Sequence, residues 1–384
     1  MQKFNPLKTK HLKQINAVLA LFFHQKKADT PLCFGNAATI LVVEAGRIGD
    51  MIMSLPFYQT LRRNAPMAEI TLVCGSWAET VLKGQGLADR FVCLDPETLR
   101  TPLEMLKNYS QIRQALRRIN DRYYDIALEP RGDLRDIFLM HWCRAGRKAA
   151  YSYTGGECFL TDVVKPPRES MHLTLEKLYF AKQLGCRIWK KDRYPQLELT
   201  KAQKAENESF RNACGFQGKQ ILGIHPDAGL LVKQWNGFPK LIQELCAGSA
   251  DRAFLIFEGP QGHAVSAQAA AAAEACGAKV AVSRTGLGQY MQRLALCDAV
   301  FCNDSSAGHI ARAYGIPVYV VFGPVSPAFA QPYAKDQVYV FSDDSLPCKP
   351  CFLTKCPAGQ ECLTRIGAHA VCSVYEAVQA QRHL

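Results

Sequence analysis

Nowhere in the 384 residues do apolar side chains run unbroken for anything near the roughly eighteen positions that a bilayer-crossing helix requires, so the sequence offers no transmembrane helix. A repeat of fixed period is also missing, which argues against solenoids and propellers. No basic stretch interleaved with aromatics is present of the kind that lines a nucleic-acid groove, so nucleic acid is not an expected partner. After the apolar stretch 15–23 the small residues of a cleavage site are lacking. His24, Gln25, Lys26 and Lys27 stand there instead, and the stretch reads as retained rather than as a signal peptide. Paired cysteines are scarce too: of sixteen, twelve are scattered singly, many in apolar runs such as Val73-Cys74, which suits a reducing cytosol.

What is present is the composition of a globular protein, 48% hydrophobic and 21% charged, in a chain long enough for two domains with separate cores. The net charge of +12 is uneven: residues 1–200 hold 30 Lys and Arg against 20 Asp and Glu, leaving +2 for the remainder. The basic half is expected to face something anionic. Residues 7–27 read as an amphipathic helix, with Leu12, Ile15, Leu19 and Phe22 or Phe23 on one face and Lys8, Lys10, Lys13, Lys26 and Lys27 around it. Such a helix suits either the headgroup region of an anionic membrane or a seat on its own domain.

The stretch around which the chain is organised is Gly46-Arg47-Ile48-Gly49-Asp50. It follows an apolar run at 40–43, of strand length, and precedes helical spacing over 51–63. The glycines allow a tight turn and a close approach to a ligand, and Asp50 stands where a helix begins, as a cap or as a reacting carboxylate. Further strands are expected at 70–73, 91–94 and 126–128, with helices near 51–64, 76–83 and 104–120. This alternation predicts a doubly wound parallel sheet. Arg131 and Arg135 follow the 126–128 run directly and are candidate carboxylate or phosphate ligands at the same sheet edge as Asp50.

A Lys-, Glu- and Gln-rich segment near 186–220 marks the passage to a second alternating series. Its strands are expected at 221–224, 253–257, 280–282, 299–302 and 318–322. Here the chemistry-bearing residues again follow strand ends. His225 precedes a loop with Gly229 and Lys233. Asp304 is followed by Ser305, Ser306, Ala307, Gly308 and His309 at a helix start, where backbone amides attract a diphosphate. Gly323 makes a Gly-Pro turn after the last of these strands. The fold class is therefore α/β with two Rossmann-like doubly wound domains facing across a cleft. The expected divisions are a basic extension 1–37, a first domain 38–195, a second domain 196–365 and a closing helix 366–384.

These pieces, in this order, resemble glycosyltransferase family 9, the heptosyltransferases that build the inner core of bacterial lipopolysaccharide. The match rests on Arg47-Ile48-Gly49-Asp50 with Pro56, on His225-Pro226 with Lys233 and Trp235, and on Asn303-Asp304 with His309. Gly315-Ile316-Pro317 and Phe322-Gly323-Pro324 complete it. The resemblance implies a GT-B fold, with acceptor on the first domain and nucleotide sugar on the second, and a last helix that crosses back. It also implies inverting transfer of heptose from ADP-heptose to a lipopolysaccharide or lipooligosaccharide core, with no cofactor required, at the cytoplasmic face of the inner membrane. Carried over by motif position, Asp50 becomes the general base and Lys233 the counter-charge to the leaving diphosphate. The segment from Asp304 to His309 would hold sugar and phosphates. Two departures stand out: Ser306 replaces the family's usual glycine, and the loop before Lys233 is unusually apolar.

Cys348, Cys351, Cys356 and Cys362 lie within fifteen positions of a Pro- and Gly-containing loop at 348–362. Cys-x2-Cys is a common half-site, so a structural zinc or iron is one reading and plain packing the other. A subset of the family that modifies autotransporter proteins holds iron with four cysteines, which makes a protein acceptor an alternative. A non-catalytic family member is the remaining one.

Overall fold

The computed structural model describes residues 6–99, 101–260, 262–351 and 353–382. It divides between Tyr194 and Pro195 into two compact units. The first unit holds Thr39–Val43 (β1), Glu69–Cys74 (β2), Arg90–Cys93 (β3), Tyr124–Glu129 (β4), Ala145–Tyr151 (β5) and Asp162–Val164 (β6). All pair in parallel in the order β3-β2-β1-β4-β5-β6. Leu41, Val42 and Val43 of β1 are fully buried, as befits a central parallel strand covered on both faces. The order reverses between β1 and β4, where Val42 lies opposite Leu128. At such a reversal the connections leave toward opposite sides, and the strands' carboxyl ends open a crevice.

The second unit repeats the plan with Gln220–His225 (β7), Arg252–Phe257 (β8), Lys279–Ser283 (β9), Ala299–Asn303 (β10), Val318–Phe322 (β11) and Val338–Ser342 (β12). Its order is β12-β11-β10-β7-β8-β9, again all parallel, so its reversal falls between β7 and β10, with Cys302 opposite His225.

Three strands, β5, β6 and β12, go beyond those expected. The β5 sequence Ala-Gly-Arg-Lys-Ala-Ala-Tyr carries no β-branched residue, yet Ala149 and Ala150 are fully buried between β4 and β6. Sheet context overrides propensity there. The long helix expected at 104–120 is two, Pro102–Lys107 and Tyr109–Ile119, divided at Asn108, whose side chain donates to the Glu104 carbonyl.

The first helix, Pro6–Leu19, is shorter than expected and sits on its own unit. Leu12, Leu19 and Phe23 pack against the first core. Asn16 accepts from the Gly156 N–H at 2.6 Å and donates to Glu157 at 3.2 Å, while Lys27 donates to the Glu157 and Leu160 carbonyls. Its other side leaves Ile15, Val18, Leu21 and Phe22 to solvent, the last two about three-quarters exposed, at 74% and 75%. The closing helix, Ala368–Arg382, packs on the second unit: Tyr375 is fully buried in that core, and Arg252 forks onto Glu376 at 2.6 and 2.8 Å.

Replacing Asn16 with Ala strands the Gly156 N–H and should lower the first unit's unfolding free energy by about 1–2 kcal/mol in denaturant titrations. An unchanged midpoint would mean that the helix is not seated.

Candidate functional site

The expected site residues fall into two groups, one at each sheet's reversal. In the first unit the chain leaves β1 through Glu44, Ala45 and Gly46 and enters the Ile48–Asn64 helix, for which Arg47 is the N-cap. Asp50 is thus not the cap but the third residue of the first turn. Its carboxylate accepts the Arg47 N–H at 2.9 Å and stays half-exposed at the positive end of the helix. Gly46 is required by this fit: a Cβ there would lie 2.9 Å from the Asp50 Cβ. Arg47 is exposed and Gly49 half-buried within the same turn.

Beneath the turn lies a polar cluster that motif reading missed. Glu44, 1% exposed, accepts from Ser54 at 2.7 Å, Tyr58 at 2.5 Å and the Lys177 ammonium at 2.5 Å. Lys177 also donates to the Ser54 hydroxyl and to the Asp50 carbonyl at 3.2 Å, joining the Leu173–Gln183 helix to the Asp50 turn. The sequence signals were faint: a lone acid ending an apolar strand, and Ser54 and Tyr58 one helical turn apart.

Across the reversal, β4 ends in Glu129, wholly buried, whose carboxylate accepts the Arg131 and Gly132 N–H groups at 3.1 and 2.6 Å. Arg131 reaches the Asp50 edge as expected, donating to the Ala45 carbonyl at 2.7 Å and lying 3.4 Å from Asp136. Burial works against its charge, but Asp136, Asp50, Asp133 and Glu129 together hold its pKa above the ordinary value. Burial, against the pull of Arg131 and helped by Asp133, pushes the Asp136 carboxyl up to about 6. Arg135 points elsewhere. Its guanidinium forks onto Asp133 at 2.8 and 2.5 Å, so this arginine is spent inside the protein.

In the second unit, β7 ends in His225 and β10 in Asn303, side by side. Asn303, fully buried, accepts the Trp235 N–H at 3.0 Å and donates to the Pro226 carbonyl at 2.8 Å, so one carboxamide ties together the loops after both strands. Lys233 and Asp304, expected to serve donor phosphates and sugar, pair with each other at 2.5 Å. Ser305 is the N-cap of the Ser306–Ala313 helix, yet its hydroxyl lies 3.5 Å from His225 Nδ1 and caps nothing. The first-turn amides of Ser306, Ala307 and Gly308 are therefore not taken up by it. His309 is buried one turn in, and Gly229 stands open on the loop before Lys233. Gly323 lies under Leu363, which a Cβ would meet at 2.9 Å.

Asp227, which motif reading also missed, accepts from the Ala228 N–H and from Gln234, both at 2.8 Å. A Cβ at Gly259 would fall 2.2 Å from its carboxylate, so the turn after β8 is moulded onto Asp227. Burial drives the His225 pKa down to about 4, partly opposed by Asp227, which keeps this imidazole neutral at physiological pH.

Each unit thus carries its polar residues at the reversal of a sheet, and the two sheets have the same strand order. The sequence profile of glycosyltransferase family 9 (heptosyltransferase) matches residues 112–361. The chain belongs to this family. It is a glycosyltransferase, and its two units are those of the GT-B fold. Lipooligosaccharide heptosyltransferase 2 of Haemophilus influenzae is 24% identical over 323 residues, spanning 76% of this chain and 85% of that one. Among solved structures, a family 9 glycosyl transferase from Veillonella parvula superposes with TM-score 0.75 at 19% identity, covering 92% of this chain and all of that one. The ADP-heptose lps heptosyltransferase II of E. coli gives 0.70 at 19%, covering 90% and 100%.

The cysteines at 348–362 are not drawn into one cluster: among the described residues no three Cys, His, Asp or Glu side chains are placed to hold a metal ion. Cys351 Sγ nevertheless accepts the Leu353 N–H, and Cys356 Sγ the N–H groups of Ala358 and Gln360, all at 3.4 Å.

Replacing Lys177 with Met leaves Glu44 buried without its cation and should cost about 3–5 kcal/mol of first-unit stability. A loss under about 1 kcal/mol would place the pair in water. For His225 the folded pKa lies below the unfolded one, so its contribution is complete above about pH 6.5 and fades as pH falls toward 4. In proton NMR, one histidine should titrate near pH 4 and its signal should vanish in His225→Gln. A midpoint near 6.5 would mean the ring is solvated.

Proposed function

We propose that the protein transfers heptose from ADP-heptose to a lipopolysaccharide or lipooligosaccharide core saccharide, inverting the anomeric centre, with Asp50 as general base. The observation that carries this reading is the placement of Asp50, half-exposed at the first sheet's reversal and held from behind by the Lys177–Glu44 pair. Asp50 takes the proton of the acceptor hydroxyl as that oxygen bonds to the anomeric carbon. On the opposite face the bond to the diphosphate breaks, and its electron pair leaves with ADP. Lys233 and the first-turn amides at Ser306 meet the charge that develops there, so no metal is called on for the step. The named activity of the Haemophilus and E. coli relatives supports both donor and acceptor.

Mass spectrometry of a truncated lipooligosaccharide acceptor series with ADP-heptose should show gain of one heptose. Asp50→Asn should slow it by about 10²- to 10⁴-fold. Transfer by that variant at the wild-type rate would remove Asp50 from the role.

The same reading puts the enzyme on the cytoplasmic face of the inner membrane as a peripheral protein. Among the described residues no helix is long and apolar enough to cross a membrane. Exposed Leu21 and Phe22, with exposed Lys10 and Lys13 in the helix before them, would supply apolar and basic surface for anionic headgroups.

A second reading, a structural zinc or iron on Cys348, Cys351, Cys356 and Cys362 with a protein acceptor, is favoured by the N–H···S bonds at Cys351 and Cys356, since thiolates draw such donors. The four thiols would have to draw together for it. Metal analysis of protein purified without added metal decides this: about one equivalent is expected, and less than half removes the site.

A further inference from the structure

A cavity of about 540 Å³ lies in the first unit among residues 171–193, along the Leu173–Gln183 helix and the loop that follows it. Its volume is that of ordinary ligand pockets, ~300–1,000 Å³. Met171, Leu175, Leu178 and Ile188 supply apolar surface, and Tyr179 an aromatic ring. Cys186 and the cations Lys182, Arg187, Lys190 and Arg193 complete the lining, which contains no acidic residue.

These cations are not spoken for. Among the described residues Lys182, Lys190 and Arg193 have no carboxylate partner, and Arg187 rests over the Trp189 ring with its guanidinium carbon 5.2 Å from the centroid. The nearest acids in sequence are turned to other work: Asp192 is buried and paired with Arg63 at 2.5 Å, and Glu176 is buried beneath Tyr151, which donates to its carbonyl. Four like charges gathered around one apolar hollow, all at exposed positions, make a local positive field that attracts an anion. The lining offers no amide, no carboxylate and no hydroxyl but that of Tyr179, so little could read a nucleobase or a sugar by hydrogen bonding.

We infer that this cavity binds a phosphorylated acyl lipid, its chain on the Met171, Leu175, Leu178 and Ile188 surface and its phosphate among Lys182, Arg187, Lys190 and Arg193. The site is separate from the Asp50 turn. Lys177 of the same helix contacts that turn, whereas the cavity reaches beyond the helix end to Arg187, whose N–H bonds Asn64 at the far end of the Ile48–Asn64 helix. Binding at this site does not depend on the transfer reading, whereas its assignment to the acceptor's anchor rests on that reading. The lipid is either a membrane phospholipid or the lipid anchor of the acceptor, which share this chemistry.

The test uses full-length protein and dodecyl phosphate below its micellar concentration, followed by Trp189 fluorescence and calorimetry, with Trp189→Phe as the signal control. Saturable binding is expected, and Lys182→Glu with Lys190→Glu, both at exposed positions, should weaken it by about tenfold or more. Equal binding of dodecyl maltoside would overturn the anionic part, and an equal affinity for inorganic phosphate the acyl part. Unchanged affinity in the double variant, with its circular dichroism intact, would overturn the site. Two further arms name the source. Reduced sedimentation of the double variant with phosphatidylcholine–phosphatidylglycerol vesicles assigns a membrane phospholipid. A raised KM for a lipid-bearing acceptor, with that for a lipid-free acceptor unchanged, assigns the acceptor's anchor.

Discussion

The constraint on which the molecule depends is the order of strands in a parallel sheet. Once β4 joins β1 on the side away from β2, the two loops that leave their carboxyl ends part in opposite directions, and backbone and side chains between them must be satisfied by something other than sheet. The second unit meets the same constraint at β7 and β10. In each case the solution is a buried polar residue at the strand end: Glu44 and Glu129 in the first unit, Asn303 in the second. Those three side chains hold the loops from beneath and leave the outer residues, Asp50, Lys233 and Asp304, less deeply buried.

The two solutions differ in kind. The first unit builds with charge: Glu44 against Lys177, and Arg131 among Asp136, Asp50, Asp133 and Glu129. Buried ion pairs are poor sources of net stability but severe enforcers of geometry, because losing one member strands the other. The second unit builds with a neutral carboxamide and with glycines that admit Asp227 at close range. Under the proposed mechanism a base is held at one point, whereas a leaving diphosphate needs amides and a cation around a volume, and these two styles of construction would suit those two tasks.

Much of this was legible in the sequence because burial on both faces of a parallel sheet writes short apolar runs, and glycines and polar residues at their ends write the turns. Nine of the strands, and the strand-end positions of Asp50, Arg131, Lys233 and Asp304, were read that way. The strand Ala145–Tyr151 was not, since alanines do not declare a strand until neighbours pair with them. Nor was Lys177: a lysine in a helix reads as solvated until the fold sets an acid opposite it 133 positions away. Arg135 shows the converse, a residue of the right chemistry beside the site whose fork is filled two residues away by Asp133. Local spacing reveals what a residue could do, and tertiary pairing decides what it is left to do.

The Lys233–Asp304 pair has a bearing on how the second unit would respond to its surroundings. A lysine waiting in open solvent gathers mobile anions, and a phosphate that displaces them gains the entropy of their release, so its affinity falls steeply as salt rises. Here the place of the mobile anion is taken by a tethered carboxylate. On the proposed reading, a phosphate arriving at Lys233 would exchange with Asp304 rather than with the bath, and Asp304 would be set free for a hydroxyl at the same moment. Occupation of this corner would then be an internal trade, less sensitive to ionic strength than binding to an open lysine and selective for a guest that brings both an anion and a hydrogen-bond donor.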